Sequence, residues 1–211
     1  ICLPGMLHGK IFRSTVAHGR IKRIDTSAAA AIPGVHQVVT IDDILKIIPT
    51  PYYGPAFHDQ PILAHEKVRH IGEPVAVVVA DSRYIAEDAC DLIEVEYEPL
   101  EAVIDLEDAL SDRVVIHDEI GTNRSYTWDL KIEESEGQVD RAFADAAYSV
   151  KARYIQQRLI PAAMEPRAVA AIPQPFGGDM TLYSATQVPH ILKVDRKSTR
   201  LNSSHVRTSR M

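Results

Sequence analysis

Runs of apolar residues and strict apolar–polar alternation divide the first hundred residues into short elements. Met6 to Phe12 reads as a strand, and Ile21 to Ile24 extends a second. The alanine-rich stretch Thr26 to Ile32 predicts a short helix, capped by Thr26 or Ser27 and stopped by Pro33-Gly34. Val35 to Thr40 predicts a strand. Thr40 then offers a cap to a helix over Ile41 to Ile47, with Asp43 at the reciprocal capping-box position. Residues 49–61 hold four prolines, two tyrosines and a glycine and predict a loop. Val75 to Ala80 is a continuous apolar run of strand length, suited to burial on both faces. Asp81 or Ser82 caps a helix to about Leu92 that carries Ile85, Ala86, Ala89 and Cys90 on one side. Ile93 to Glu98 alternates, as a strand with one dry and one wet face does.

Beyond residue 100 the pattern weakens. Residues 101–130 read as a connecting segment. Gly137 to Ala147 predicts a helix with Val139, Phe143 and Ala146 on one face. Tyr148 to Gln157, Ala168 to Ile172 and Met180 to Thr186 predict strands, with a turn over Pro173 to Asp179. Strands and helices joined by short connections argue for an α/β (α+β) fold: one unit over residues 1–100, the connecting segment 101–130, and a second unit over 131–194.

Charge sets the last seventeen residues apart. Residues 195–211 carry five basic side chains against Asp195 alone, a net of +4, which leaves −10 on the first 194 of a chain with −6 overall. They show no hydrophobic period, and no aromatic residue that could stack on a base. The run Asp195 to His205 resembles translated sequencing adapter, so 195–211 is expected to be a non-native, disordered tail. The acidic remainder gives no nucleic-acid footprint. No apolar run approaches the roughly 20 residues of a membrane helix. Cys2 and Cys90 make neither a disulfide framework nor a metal-ligand spacing, which fits a reducing, cytoplasmic setting. The chain opens on Ile1 without a signal pattern and reads as a fragment. His18, His36, His58, His65, His70, His117 and His190 show no metal-ligand spacing and read as surface or packing residues.

Two pieces concentrate candidate chemistry. In Pro161-Ala-Ala-Met-Glu-Pro-Arg167, Glu165 and Arg167 stand in an apolar stretch bounded by prolines. In Tyr183-Ser-Ala-Thr-Gln187-Val-Pro-His190, Gln187 ends a predicted strand where Pro189 stops ladder pairing. A neutral amide there can orient a ligand without adding charge; equally, it can satisfy a backbone group. For Glu165 the expectation is a structural ion pair with Arg158 or Arg167, because a buried carboxylate needs a partner. Gly72-Glu-Pro74 is explained by a turn feeding a buried strand.

These two pieces, in this order, resemble the molybdopterin-binding large subunit of the xanthine dehydrogenase, aldehyde oxidase and carbon monoxide dehydrogenase family. Leu3 to Gly9, Arg13-Ser14, Ala17 to Ile21, Pro33-Gly-Val35 and Thr40 to Asp43 match its opening, and Gly72 to Asp81, Ala86 to Ala89 and Val95 to Leu100 match its core. The resemblance implies an α/β hammerhead domain over 1–100 and the truncated start of a molybdenum-cofactor-binding domain over 131–194. It further implies a molybdenum–pterin cofactor, as molybdopterin or its cytosine dinucleotide, with iron–sulfur and FAD groups on partner subunits or domains. The implied reaction is oxidative hydroxylation of a small aldehyde, an N-heterocycle or carbon monoxide. Gln187 matches the glutamine whose amide hydrogen-bonds an oxygen ligand of molybdenum. No catalytic residue of the family falls within the chain, and no side chain here is assigned as a metal ligand. The competing expectation is a non-catalytic module, formed by residues 1–100, that docks on partner subunits.

Overall fold

The run Val75 to Ala80 lies at the centre of the first unit. In the computed structural model it forms β7 (Pro74–Ala80), flanked on both sides by antiparallel neighbours, β1 (His8–Arg13) and β3 (Val35–Val39). The structure describes residues 3–54, 59–128, 137–160, 162–173, 180–190 and 206–207. Two compact units divide the chain at residue 132, and each has its own elements.

Ala76, Val78 and Ala80 project from one face of β7 and are fully buried with Ala29, Ala86 and Ala89. Ala29 belongs to α1 (Ser27–Ala30), and Ala86 and Ala89 to α3 (Arg83–Cys90). Alanine at these positions lets two helices lie close on the sheet. Ser82 caps α3 by accepting from the Ile85 amide at 3.2 Å. The other face of β7 is buried at Val75 but only half-buried at Val77 and Val79, so the expected double-sided burial is complete on one side alone. There Val75, Ala64 and Val68 meet Val16, from the loop ahead of β2, and Ile21 and Tyr97 of a second antiparallel sheet, ordered β6 (Lys67–Val68), β2 (Gly19–Asp25), β8 (Glu94–Pro99). Phe12, Ile24 and Val95 pack against both clusters and tie the two sheets together.

Local chemistry departs from expectation in several places. Neither Thr26 nor Ser27 caps α1; Asp25, one residue further back, accepts from the Ser27 amide at 3.0 Å and its hydroxyl at 2.6 Å. Gly34 holds φ +90° at the turn into β3, and a Cβ there would stand 2.9 Å from Ile85 Cδ1. The capping reciprocity at α2 (Ile41–Ile47) is present, with Asp43 accepting from the Thr40 amide at 3.1 Å. The proline-rich loop contains a two-residue ladder, β4 (Tyr52–Tyr53) on β5 (Gln60–Pro61).

The connecting segment is ordered. It holds α4 (Leu106–Leu110), capped by Asp105, and then a loop tied by its own side chains. Asn123 accepts from the Ile116 amide at 2.8 Å and donates to the carbonyls of Ala109 and Val114. Asp112 accepts from the Thr122 hydroxyl and the Asn123 amide, each at 2.7 Å.

The second unit contains α5 (Gln138–Asp145) and the antiparallel pair β9 (Val169–Pro173) and β10 (Met180–Ser184). The turn expected between these strands falls mostly outside the described residues. The strand expected over Tyr148 to Gln157 does not form: alternation alone supplies no ladder partner, and none pairs with it among the described residues. Its large side chains are exposed, Tyr148 at 93% and Tyr154 at 90%. Val206–Arg207 forms β11, which pairs parallel with Leu182 and Tyr183.

Overpacking tests the helix–sheet contact. Ala89→Leu is expected to destabilise the first unit by about 1–3 kcal/mol, because a leucine there forces α3 off the sheet. Urea unfolding followed by circular dichroism measures it; an unchanged midpoint would show that the contact tolerates volume.

Candidate functional site

The second unit places Gln187 just beyond the end of β10. Ala185 continues the pairing by donating its amide to the Ala168 carbonyl at 3.0 Å. Thr186 Oγ1 then accepts from the Val188 amide at 3.1 Å, a side-chain turn that bends the chain around Gln187. Residues 189 and 190 are helical, and proline suits that first position because its missing N–H has no intrahelical partner to lose. Gln187 is therefore held at a bend between a strand and a helical turn, three residues later than a strand end at Ser184. Its side chain is exposed, and among the described residues its amide has no hydrogen-bond partner. Two N–H donors and a carbonyl are free, without formal charge. That donor set fits an oxygen-bearing cofactor.

Glu165 and Arg167 are exposed in an irregular stretch, and no ion pair among the described residues joins Glu165 to Arg158 or Arg167. The expected structural pair is thereby corrected: a carboxylate in water is hydrated and needs no protein partner. Among the described residues no three His, Cys, Asp or Glu side chains gather as a metal site. No helix among them is long and apolar enough to cross a membrane. Cys90 is a free, buried thiol whose pKa burial pushes up; Cys2 and His58 lie outside the described residues.

A second polar cluster, in the first unit, escaped the sequence pattern. Glu73, inside the Gly72-Glu-Pro74 turn, is 4% exposed and accepts from the Arg69 amide. Lys67 is equally buried, and its Nζ donates to Asp118 at 2.9 Å. Arg69 donates to Glu119 at 3.3 Å. His18 is buried with Nδ1 2.7 Å from the Glu101 carbonyl and Nε2 unpartnered. A carboxylate between glycine and proline, immediately ahead of a buried strand, was the available signal.

Known proteins agree with this architecture. Residues 1–101 match the family model described as aldehyde oxidase and xanthine dehydrogenase, a/b hammerhead domain. Residues 116–208 match the molybdopterin cofactor-binding domain. The chain is 33% identical over 97% of its length to the 6-hydroxypseudooxynicotine dehydrogenase complex subunit gamma of Paenarthrobacter nicotinovorans, covering 26% of that protein. It is 37% identical over 92% of its length to the carbon monoxide dehydrogenase large chain of Hydrogenophaga pseudoflava, covering 25% of it. A crystal structure of Cu,Mo-CO dehydrogenase superposes with a TM-score of 0.83 at 35% identity, over 94% of this chain and 26% of that one. Quinoline 2-oxidoreductase from Pseudomonas putida 86 superposes at 0.78 and 32%, over 96% and 26%. Hammerhead and cofactor-binding units therefore occur here in the order of the molybdenum hydroxylases. The chain belongs to the molybdopterin-binding large-subunit family of the xanthine dehydrogenases, aldehyde oxidases and carbon monoxide dehydrogenases. It spans about a quarter of the length of the curated relatives it matches.

Glu165→Gln is expected to leave the stability of the chain within about 0.5 kcal/mol of the parent, as exposed substitutions do. Thermal unfolding checks it. A loss of several degrees in Tm would restore a structural role for the carboxylate.

Proposed function

We propose that this chain forms part of a molybdenum-dependent oxidoreductase that hydroxylates a small aldehyde, an N-heterocycle or carbon monoxide, and that Gln187 holds the cofactor. The observation that carries the reading is the exposed, unpartnered amide of Gln187 at its strand-end bend, inside the segment that matches the molybdopterin cofactor-binding domain. Relatives named for carbon monoxide, nicotine and xanthine support the substrate range. When bound, the molybdenum–pterin group, as molybdopterin or its cytosine dinucleotide, supplies the redox chemistry. The amide of Gln187 donates toward an oxygen of that group and orients it. Because the donor is neutral, it adds no charge beside the metal, and the turn that the Val188 amide closes on Thr186 Oγ1 sets the backbone from which the side chain projects. Iron–sulfur and flavin groups on partner subunits complete electron transfer in this reading. A relative named as one subunit of a dehydrogenase complex supports partners of that kind. A cytoplasmic setting accords with the free thiol of Cys90.

The alternative of a docking module draws on the first unit, which has a buried core of its own. A longer reading frame that encodes a glycine-rich cofactor loop and a distal glutamate favours the enzyme; a natural stop near Val194 favours the module. The foreign origin of residues 195–211 belongs to the same proposal, and the genomic sequence past Val194 decides it.

Two measurements test the cofactor reading. In the intact enzyme Gln187→Ala is expected to lower turnover per bound molybdenum by roughly 10²–10³, the effect of removing one preorganised donor. Gln187→Glu is expected to be worse, because a carboxylate repels oxygen ligands. Wild-type turnover per molybdenum in both variants would remove Gln187 from the site. The present chain of 211 residues is expected to purify without stoichiometric molybdenum, since one hydrogen bond contributes only about 0.5–1.5 kcal/mol. Elemental analysis showing one metal per chain would overturn this.

A further inference from the structure

The loop over residues 112–124 is tied to itself by Asn123 and Asp112, and it meets the rest of the first unit through two consecutive carboxylates, through Arg113, which donates to Glu101 at 2.6 Å, and through Asn123, which donates to the Ala109 carbonyl. Asp118 binds Lys67 at 2.9 Å and lies 4.0 Å from Arg20. Glu119 binds Arg69 at 3.3 Å. The cations are almost wholly buried, with side-chain exposures of 5% for Lys67 and 10% for Arg69, whereas Asp118 and Glu119 keep 60% and 52%. The cations thus lie inside the fold and meet the loop carboxylates at its surface. Lys67, in β6, and Arg69, just past its end, flank Val68 and pair with two adjacent residues of the loop, so one docking motion engages both pairs.

We propose that Lys67 and Arg69, together with the Arg113–Glu101 pair, form an electrostatic clamp that fastens residues 112–124 to the first unit as a preformed body, able to undock without unfolding the sheets beneath it. The loop keeps the hydrogen bonds within it when it leaves, so undocking costs the ion pairs of Asp118, Glu119 and Arg113 and the partial burial of Val114, Val115 and Ile116, while hydration of the cations is regained. Asp118 faces Lys67, Arg20 and His18; its hydrogen bond from Lys67 holds its pKa below the ordinary 3.8. Burial works to raise the pKa of Glu119, but its own amide, His117 and Arg69 outweigh that and hold it below the ordinary 4.5. Arg69 also has Glu73 at 4.0 Å on its other side. Both loop carboxylates have folded pKa values depressed below their unfolded ones. The clamp is therefore fully formed above the ordinary carboxylate range and weakens as pH falls through it. At pH 7–8 both pairs are charged.

Acylation of lysine by a water-soluble succinimidyl ester, read by mass spectrometry on the full chain at pH 7.5, reports the docked state through Lys67. Lys46, 72% exposed, is the internal reference. Glu119→Gln leaves Lys67 and its partner Asp118 untouched. It is nevertheless expected to raise Lys67 labelling about two- to fivefold relative to Lys46, the range for one exposed ion pair. Raising salt to 1 M is expected to do the same in the parent. The melting temperature of the first unit should hold in the variant. Unchanged Lys67 labelling in Glu119→Gln would overturn the clamp, as would labelling that rises only together with a fall in Tm.

Discussion

Close approach of α3 to the central strand β7, with α1 packed against β3 and α3, is the constraint on which the first unit depends. Ala29, Ala76, Ala80, Ala86 and Ala89 are all fully buried, and Val78 is the one larger side chain fully buried between them. Small residues bring helix and sheet axes together, and dispersion contacts at that range are individually weak but numerous. The close fit propagates outward. Gly34 must be a glycine because α3, through Ile85, already occupies the space a Cβ would take. Residues shared by both clusters, Phe12, Ile24 and Val95, can reach both sheets only because the helical layer holds β7 in place.

Elements driven by local pattern were legible in the chain. β7, α2, α3 and β8 each carry a hydrophobic period and, for the helices, a side-chain cap within three residues. What escaped has a different physical origin. The order in residues 112–124 rests on bonds from Asn123 and Asp112 across 7 to 11 residues, and such ties leave no period. Tyr148 to Gln157 alternates well and still fails to be a strand, because a ladder needs a neighbour that pattern cannot supply. At α1 the cap moved to Asp25, whose carboxylate is a stronger acceptor than the hydroxyl of Thr26 or Ser27 and accepts from two Ser27 donors.

The candidate site was legible to a different extent. Gln187 was singled out by its match to the family's glutamine, because a strand-end amide by itself can equally satisfy a backbone group; the structure puts this residue, exposed, at a bend beyond β10. Glu165 was misjudged through its surroundings: prolines and alanines suggested burial, yet residues 162–167 are exposed. Conversely, Glu73 lies between two turn-forming residues and was assigned to a turn, and it is one of the few buried charges among the described residues. Composition near a residue does not determine the depth at which it ends up.

The exposed apolar side chains between Val139 and Met164 have a thermodynamic consequence. Phe143, Tyr148, Val150, Tyr154, Ile155, Leu159 and Ile160 are each two-thirds or more exposed. Heat capacity of unfolding arises largely from apolar surface newly exposed to water. Side chains already in water contribute almost nothing to it. Residues 2–132, which hold both buried clusters, therefore dominate the calorimetric signal of the chain. Heat capacity per residue would fall below that of a fully packed protein of the same length, and the melting enthalpy would scale with the first unit rather than with all 211 residues.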